Sequence, residues 1–406
     1  MINYPLALVK EGITPVLVPD VDAIKKPTTT FAPKDAPVFY NKEMELNRDF
    51  ALACLRAYLK SQQATRFRYC EPMAGTGIRS LRVANEVPGG KVLINDINPF
   101  AFALIKKNVR RLKLRQRVSV CRKEANTLLL EFASRGRGFQ VIDLDPFGSP
   151  APFLDAVAQA IEKKGLLAIT STDMATKCGV YPQACVRKYA SRPIHSSIGH
   201  ELAVRILLGS TITALARHGK TGVPFFVHST AHYIRIYVLV EKSITKAKEA
   251  MGELGFVSHC PQCFAIESRK GIVNSLKTTC PNCSARRLIG GPLWLGKLFH
   301  EEFLTFLEKE LISSNSVYGS IKKMKKMFSL IQDEAQANAS LQALIGYYDI
   351  HQISDKLNVP SPALKVVTTA LQKAGYIATR THFRLNAIKT DAPVNKIVST
   401  IKDATK

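Results

Sequence analysis

"RFRYCEPMAGTGIRSLRVANEV" (residues 66–87) is the stretch that decides the fold of this 406-residue chain. Its first six residues have the composition of a β-strand, "EPMAGTG" (71–77) is a glycine-rich loop, and the remainder has helical spacing. Glycines in such a loop let the backbone turn sharply and let a ligand approach without an intervening side chain. A strand, a glycine loop and a helix in this order predict one ligand-binding unit of an open α/β sheet.

The alternation of strands and helices continues along the chain. The other predicted elements are "EMELNRDFALACLRAYL" (43–59, helix), "KVLIND" (91–96, strand), "PFAFALIKKNVRRL" (99–112, helix), "RVSVC" (117–121, strand), "FQVIDLD" (139–145, strand), "FLDAVAQAIEKKG" (153–165, helix) and "LLAITST" (166–172, strand). Such alternation indicates a mainly parallel sheet covered on both faces. Strands within 224–229 and 232–242 are too close for a crossover helix, so we expect an antiparallel pair at one edge. The predicted class is α/β, a Rossmann-like sheet followed by a smaller α+β domain.

The chain is strongly basic, with 57 Lys and Arg residues against 32 Asp and Glu residues and a net charge of +25. Both the first 245 residues and the remainder are basic, so the charge is not confined to one tail. Such a surface favours a polyanion, with nucleic acid first and an anionic membrane second, although a solvated lysine-rich surface gives the same count. No apolar run reaches the roughly 18–20 residues of a membrane span, so we expect no membrane partner.

The N-terminus and the cysteines both bear on where the protein is located. The N-terminus lacks the basic start, apolar core and cleavage site of a signal peptide. Nine cysteines, four of them in two tight pairs, fit a reducing compartment and a metal site better than a disulfide framework. We therefore expect a cytoplasmic protein.

An acid lies one strand after the glycine loop. Asp96 ends the next predicted strand, at a spacing from Gly77 that lets a carboxylate bind both ribose hydroxyls of an adenosine cofactor. After the third strand, Glu124 and Ala125 lie where an adenine ring would be placed. The alternative for Asp96 is that it caps the N-terminus of the following helix.

Two cofactors compete for the loop that contains Gly75 and Gly77. A dinucleotide loop usually closes with a third small residue, and Ser80 stands at that place beside Arg79. Glu71 at the start of the loop would repel a pyrophosphate, whereas S-adenosylmethionine carries a sulfonium cation and an amino-acid end that suit an acid. We therefore favour S-adenosylmethionine and keep a dinucleotide as the alternative.

"VIDLDPFGSP" (141–150) ends a buried strand with Asp143 and Asp145 at the carboxyl edge, where open α/β sheets bind ligands. For an exocyclic amine of a nucleobase, Asp145 and the carbonyl of Pro146 supply acceptors, and Phe147 supplies a ring that stacks on the base. Asp143 should point to the same face as Asp145, in a binding or supporting role. The alternative is a strand-ending turn in which Asp145 caps the next helix.

Two cysteine knuckles follow a change of composition near residue 245. Their Cys-x2-Cys spacings predict one tetrahedral structural zinc, because four thiolates leave no open position for catalysis. The predicted ligands are Cys260, Cys263, Cys280 and Cys283. Disulfides are the alternative.

The predicted domains are a sheet domain and a C-terminal domain. The sheet domain covers residues 1–245 with an N-terminal extension (1–42), and the C-terminal domain covers 246–406. The latter contains a zinc module (255–290) and a winged-helix-like region (349–390), which either binds a duplex or serves as a packing surface.

The motifs together resemble those of the tRNA guanine-26 N2-dimethyltransferases. The matching segments are "EGITPVLVP" (11–19), "VFYNKEMELNRD" (38–49), "AGTGIRSLR" (74–82), "NDINP" (95–99), "EAN" (124–126), "DLDPFGSP" (143–150) and both knuckles. The resemblance covers most of the chain and implies a Rossmann-like methyltransferase domain followed by a C-terminal tRNA-binding domain. It also implies transfer of one or two methyl groups from S-adenosylmethionine to N2 of guanosine 26.

The resemblance also implies roles for matching positions. With the loop residues included, the expected cofactor-binding residues are Arg48, Glu71, Gly75, Gly77, Arg79, Asp96, Glu124 and Ala125. The resemblance implies that Asp145 is the catalytic acceptor, and the chemistry described for residues 141–150 adds Phe147 and Asp143 to the expected catalytic residues. The family often has Asp where Glu124 stands, and Glu keeps the same acceptor group.

Other functions remain open at this point. Carbon methylation of a pyrimidine needs a cysteine nucleophile near the acidic corner, and residues 141–150 contain none, so nitrogen is the favoured acceptor atom. An amino-methyltransferase acting on DNA adenine or ribosomal RNA keeps the same chemistry. A non-catalytic zinc and winged-helix regulator that senses an adenosine ligand is a further alternative. The predicted partner is tRNA, and no obligate protein partner is expected.

Overall fold

A computed structural model of the chain describes residues 2–24, 36–230, 232–314, 317–337 and 344–405. These residues form two compact units. The units comprise Met1–Thr170, Tyr237–Lys242 and Glu302–Lys325 for the first, and Ser171–Ile236, Ser243–Glu301 and Lys326–Lys406 for the second. The domain boundary at residue 245 stays a prediction.

A β-hairpin opens the first unit. Strands β1 (Leu6–Glu11) and β2 (Thr14–Pro19) pair antiparallel, and Gly12 between them has φ +58°. Glycine permits this tight turn because other residues are strained at such an angle. Helix α1 (Val21–Ile24) follows, and α2 (Glu45–Ser61) is buried over most of its length.

The alternating strands and helices of the sheet come next. They are β3 (Phe67–Glu71), α3 (Ile78–Glu86), β4 (Gly90–Asn95), α4 (Pro99–Arg111), β5 (Val118–Cys121), α5 (Ala125–Ser134), β6 (Phe139–Leu144), α6 (Leu154–Ala160) and β7 (Ile161–Ser171). The predicted continuation of α6 to residue 165 is wrong. Ile161 already pairs with Phe139 of β6, and Lys164, at φ +61°, lies in an irregularity of this ladder rather than in a helix.

Two further strands complete a seven-stranded sheet. They are β8 (Lys220–Ser229) and β9 (Ile234–Lys242). The strand order is β5-β4-β3-β6-β7-β9-β8, and every pairing from β5 to β7 is parallel. Because β8 and β9 are neighbours joined only by residues 230–233, they run antiparallel. The predicted α/β class with a mostly parallel sheet is confirmed.

The order of the sheet reverses between β3 and β6. The chain moves outward from β3 to β5 on one side and from β6 to β7 on the other. Open α/β sheets bind ligands at such a switch point, beyond the carboxyl ends of the strands. Glu71 ends β3 and Asp143 lies near the end of β6, so the fold brings both acidic motifs to this edge.

The segment Glu302–Lys325 completes the first unit against α2. Asp49 Oδ2 accepts hydrogen bonds from the backbone N–H of Ser320 at 2.8 Å and from its hydroxyl at 2.6 Å. Asp49 is fully buried, so this contact belongs to the interior of the unit. A late part of the chain therefore packs on an early helix.

The second unit contains a long helix and a three-stranded sheet. Its elements up to Glu301 are α7 (Met174–Lys177), α8 (Pro182–Tyr189), α9 (Gly199–Arg217), α10 (Ile244–Gly252), β10 (Leu254–His259), β11 (Ile266–Lys270) and β12 (Leu288–Trp294). Next in the sequence come α11 (Glu301–Ser313), which belongs to the first unit from Glu302 onward, and α12 (Ile321–Ala337), which belongs to the second unit from Lys326 onward. Strand β10 lies between β11 and β12, and both pairings are antiparallel.

The C-terminal part of the second unit has two helices, a small sheet and a final helix. The elements are β13 (Tyr348–Asp349), α13 (Ile350–Leu357), α14 (Leu364–Lys373), β14 (Ala378–Arg380), β15 (Ala387–Thr390) and α15 (Val394–Asp403). Buried Ile353, Val367, Leu371 and Ile397 hold them in one apolar core. In the described part of the chain, no helix has both the length and the apolarity to cross a bilayer.

A buried ion network, the Lys389 cluster, consists of Glu201, Arg205 and Lys389 in the second unit. Glu201 Oε1 accepts a hydrogen bond from Arg205 Nε at 2.8 Å, and its Oε2 accepts one from Lys389 Nζ at 2.6 Å. All three side chains are at most 1% exposed. Burial alone raises the pKa of Glu201, but Lys389 and Arg205 lower it below its ordinary value.

Candidate active site

The loop between β3 and α3 turns on two glycines. Gly75 has φ +55° and Gly77 has φ +73°, a region that residues with a Cβ rarely adopt. A Cβ on Gly77 would also lie 2.9 Å from Ile105 Cγ1. The loop therefore keeps a bare backbone at both positions, at the N-terminus of α3.

Asp96 ties this loop to the neighbouring strand. Its Oδ2 accepts a 2.7 Å hydrogen bond from Gly75 N, and its Oδ1 accepts a 2.9 Å bond from Asn98 N. Burial raises the pKa of Asp96, although these two bonds partly offset the rise. Asn98 rather than Asp96 caps α4, by accepting from Phe100 N at 2.8 Å. The helix-cap alternative for Asp96 is therefore wrong.

Glu124, expected on the adenine side, caps helix α5. Its Oε1 accepts from Asn126 N at 3.0 Å and its Oε2 accepts from Thr127 N at 2.8 Å. Its slight burial raises the pKa of Glu124, but these hydrogen bonds lower it below its ordinary value. Ala125 is the first residue of the helix and is buried. A contact of either residue with an adenine ring stays a prediction.

A second ion network, the Arg79 cluster, consists of Glu71, Arg79, Asp143 and Asp145. Arg79 Nη1 donates to Asp143 Oδ1, and Arg79 Nη2 donates to Asp145 Oδ2. The two aspartates therefore lie on one face, as alternation along β6 predicts. The side chains of Arg79 and Asp143 are 4% and 3% exposed, whereas that of Asp145 is 20% exposed. Asp145 is the aspartate of the cluster that a substrate can reach.

Glu71 is a buried member of the Arg79 cluster with an unusual pKa. Its Oε1 lies 3.7 Å from Arg79 Nη1, and its Oε2 accepts from Ser80 N at 3.2 Å. Burial raises the pKa of Glu71 to about 8. The positive charge of Arg79 opposes this rise, and the negative charge of Asp143 adds to it. Burial therefore favours the protonated form of Glu71, so its repulsion of a pyrophosphate is weaker than its formal charge predicts.

An exposed aromatic ring follows the acidic corner. Phe147 is 72% exposed, and its ring meets that of Phe39 edge to face at a centroid distance of 4.8 Å. In the next helical turn, residues 151–153, it is Ser149 Oγ that accepts from Ala151 N, at 3.3 Å, so the alternative that Asp145 caps this turn is wrong. The sequence alone assigns Phe39 no role, although it lies within the family motif "VFYN" (38–41), which is the signal that could have indicated one.

Arg48 is held by the N-terminal hairpin rather than by the Arg79 cluster. Its Nε donates to Glu11 Oε2 at 2.7 Å, and its Nη2 donates to Glu11 Oε1 at 2.5 Å and to Asn41 O at 3.1 Å. The guanidinium also lies over the Tyr40 ring, 5.4 Å from its centroid. These contacts fasten the segment that carries Phe39 to α2. A direct contact of Arg48 with a cofactor stays a prediction.

The four predicted metal ligands converge in the second unit. The Sγ atoms of Cys260, Cys263, Cys280 and Cys283 all lie within 4.8 Å of one another, with two separations of 3.5 Å. For a tetrahedron with metal–sulfur bonds of about 2.3 Å, sulfurs lie about 3.8 Å apart, so the donor set fits zinc. All four cysteines are free, so the disulfide alternative is wrong.

The two knuckles have the same backbone design. Phe264 N donates to Cys260 O at 2.8 Å, and Ser284 N donates to Cys280 O at 2.9 Å. Phe264 and Ser284 both have positive φ, near +60°. Each knuckle therefore turns its second cysteine back toward the first, which is what a shared ion requires.

Comparison with known proteins connects this chain to one family. The family model described as N2,N2-dimethylguanosine tRNA methyltransferase matches residues 12–402. A tRNA (guanine(26)-N(2))-dimethyltransferase of Methanobrevibacter smithii is 36% identical over 403 residues, covering 99% of this chain and 98% of the relative. A tRNA (guanine(26)-N(2)/guanine(27)-N(2))-dimethyltransferase of Aquifex aeolicus is 30% identical over 404 residues, covering 98% and 96%.

A solved structure resembles the chain over nearly its whole length. It is the complex of Trm1 from Pyrococcus horikoshii with S-adenosyl-L-methionine, with a TM-score of 0.82 and 31% sequence identity. The match covers 98% of this chain and 100% of that one. The similarity therefore extends well beyond the parallel sheet.

Proposed function

This chain belongs to the N2,N2-dimethylguanosine tRNA methyltransferase family, and we propose that it transfers methyl groups from S-adenosylmethionine to N2 of guanosine 26 in tRNA. The products are N2-methylguanosine and N2,N2-dimethylguanosine. The main support for this proposal is the Arg79 cluster at the switch point of the sheet. There the partly exposed carboxylate of Asp145 lies two residues before the exposed ring of Phe147. The relatives support this function and not DNA adenine methylation, ribosomal RNA methylation or a non-catalytic regulator.

The glycine loop is the proposed seat of S-adenosylmethionine, which supplies an electrophilic methyl group when bound. Gly75 and Gly77 leave the loop backbone bare, and Asp96 is half-buried beside it, in a position to bind ribose hydroxyls. In its protonated form, Glu71 can accept or donate a hydrogen bond at the amino-acid end. The remaining proposed contacts, taken over from the family resemblance, are Arg48, Arg79, Glu124 and Ala125.

Asp145 is the residue proposed to bind and deprotonate the acceptor amine. Arg79 holds Oδ2 of this carboxylate, so Oδ1 remains to accept an N–H of the guanine N2 amine. This bond turns the nitrogen lone pair out of conjugation with the ring and toward the methyl group, and Oδ1 takes the proton that the amine loses. Pro146 O offers a second acceptor, and Asp143 supports the geometry through Arg79. Most of the acceleration comes from this positioning.

Phe147 is the residue proposed to stack on the target base. Its exposed ring has room for a flat base, and the edge-to-face contact with Phe39 fixes its orientation. Stacking on an aromatic ring is worth about 1–3 kcal/mol per base. We therefore assign Phe39 a supporting role in base binding.

The metal is proposed to be structural. Cys260, Cys263, Cys280 and Cys283 would fill all four positions of a tetrahedral zinc, which leaves none for water or substrate. We expect one zinc per chain by elemental analysis of the purified protein. Its removal by a chelator should lower the melting temperature, and an unchanged melting temperature after complete removal would exclude a structural role.

The net charge of +25 supports tRNA as the partner. Residues 246–406 are the proposed tRNA-binding domain, with the winged-helix-like region 349–390 as one contacting surface. A tRNA substrate also supports a cytoplasmic location.

Nucleoside mass analysis tests the proposed function. The protein is incubated with S-adenosylmethionine and a tRNA that has G26, or the same tRNA with A26. We expect methylated guanosine from the first tRNA and none from the second. Methyladenosine would favour a different amine target, and methylation of both tRNAs at guanosine would move the site away from position 26.

A further inference from the structure

Arg79 Nη2 has two hydrogens, and the structure uses both. One bond goes to Asp145 Oδ2, and the other goes to Asn47 Oδ1 at 2.8 Å. Arg79 Nε is buried and has no hydrogen-bond partner among the described residues. The direction of the guanidinium plane therefore depends on its Nη contacts.

Asn47 is itself anchored in the interior. It is fully buried near the start of α2, and its Nδ2 lies 3.4 Å from Thr170 Oγ1 in β7. Strand β7 pairs with β6, which leads directly into Asp145. Asn47 thus connects the strand beside the acidic corner to the arginine that holds Asp145.

We propose that Asn47 is a positioning residue for methyl transfer, which fixes through Arg79 the direction in which Asp145 presents its second oxygen to the acceptor amine. This inference rests on the proposed function of Asp145. A carboxylate held by one arginine bond can swing about that bond unless the arginine is itself fixed. Asp143 holds Nη1 and Asn47 occupies the remaining Nη2 hydrogen, and these two bonds together fix the guanidinium plane that Asp145 meets. Misplacement of a reacting group by about 1 Å is enough to cost about 100-fold in rate.

The experiment compares Asn47→Ala with a matched control, Asn108→Ala. Asn108 is also fully buried, on α4, and also makes two hydrogen bonds, both of 2.9 Å, to the backbone of Leu17. Both variants lose a buried amide in the same unit, so a general loss of stability affects both. We expect Asn47→Ala to lower kcat by about 10- to 100-fold and Asn108→Ala to leave it within about twofold. KM for S-adenosylmethionine should change less than about threefold in both.

Two outcomes would overturn the inference. Equal kcat for the two variants would show that Asn47 is a packing residue. A raised KM for S-adenosylmethionine with unchanged kcat would show that Asn47 and Arg79 serve cofactor binding instead. Thermal unfolding of both variants confirms that the compared proteins are folded.

A second readout separates this inference from the proposed function. The ¹⁵Nη signals of Arg79 report how fast its guanidinium rotates, whether or not the enzyme methylates guanine. We expect slow rotation in the wild type and in Asn108→Ala, and faster rotation in Asn47→Ala. If wild-type protein fails to methylate tRNA while the signals behave this way, the positioning by Asn47 stands and the proposed function fails. Unchanged rotation in Asn47→Ala overturns the positioning.

Discussion

Glu71 and Glu201 are both buried glutamates beside an arginine, yet their pKa values move in opposite directions. Burial raises the pKa of Glu71 to about 8, and the nearby aspartates add to this rise. Burial also raises the pKa of Glu201, but Lys389 and Arg205 reverse the effect. The difference is one of balance: the Arg79 cluster has more carboxylates than cations, and the Lys389 cluster has two cations around Glu201.

The two clusters also differ in access. The Lys389 cluster is sealed, with side chains at most 1% exposed, whereas the Arg79 cluster reaches the surface through Asp145. A buried ion pair is weak evidence for function, because balanced pairs also serve as structure. An excess of acid combined with one accessible carboxylate is what distinguishes a site for proton transfer. The variants below test that distinction, beginning with the largest expected effect.

Asp145→Ala should remove methyl transfer, with a loss of about 10³-fold or more in kcat, because the amine loses its proton acceptor. The dissociation constant for S-adenosylmethionine should stay nearly constant, as measured by calorimetry. Glu131→Ala is the control, since it removes a carboxylate from the surface of the same unit, where ion pairs contribute little. If Asp145→Ala kept the full methylation rate, the Arg79 cluster would not be the catalytic site.

Lys389→Met should mainly affect stability. The change removes one of the two cations that compensate buried Glu201, so we expect the free energy of unfolding to fall by about 3 kcal/mol. Chemical denaturation measures this loss. Binding of S-adenosylmethionine by the folded fraction should be unaffected. Normal stability with impaired cofactor binding would show that the sealed cluster is not purely structural.

Glu71→Gln should change how stability depends on pH. In the wild type the folded state keeps the Glu71 proton up to a pKa of about 8, while the unfolded state releases it near pH 4.3. The folded state thus binds more protons between these values, so this group makes the free energy of unfolding fall as pH rises. The variant lacks this component, so its stability relative to wild type should increase from pH 5.5 to 8.5. Denaturant titrations across that range measure the difference.

Glu131→Gln is the matched control for that titration. Hydrogen bonding to Lys123 lowers the pKa of Glu131, so its proton is lost from both states well below pH 5.5. Its stability relative to wild type should therefore be flat across the same range. An equal slope in both variants would mean that Glu71 is ionised in the folded protein.

The parts of the fold that follow from local pattern could be predicted from the sequence. Alternating strands and helices indicate the parallel sheet, and the acids at strand ends indicate the edge where they meet. Helix α5 was missed, although Ala125, Leu128 and Leu129 give it a buried face. Helix α6 was drawn too long because polar residues 162–164 match a helix end as well as an irregular strand start.

The contacts that complete the site join residues far apart in the sequence, so no local sequence pattern predicts them. Asn47 lies on α2 with ordinary helical spacing, and its bond to Arg79 exists only because α2 packs beside α3. Phe39 precedes that helix in a segment without periodicity, yet it meets Phe147 from the loop after β6. Glu124 shows a local role that the sequence did not indicate, since its carboxylate caps α5, whereas its contact with an adenine ring stays a prediction.

The membership of Glu302–Lys325 in the first unit has a consequence for synthesis on the ribosome. Domains tend to fold from the N-terminus as they emerge, but this unit is incomplete until Ser320 can reach Asp49. Until then the part of the chain that has left the ribosome exposes a face of α2 and the carboxylate of Asp49 to solvent and to chaperones. The sheet is thus translated early and its unit is completed late, so a message cut short after β9 encodes the sheet without the segment that covers α2.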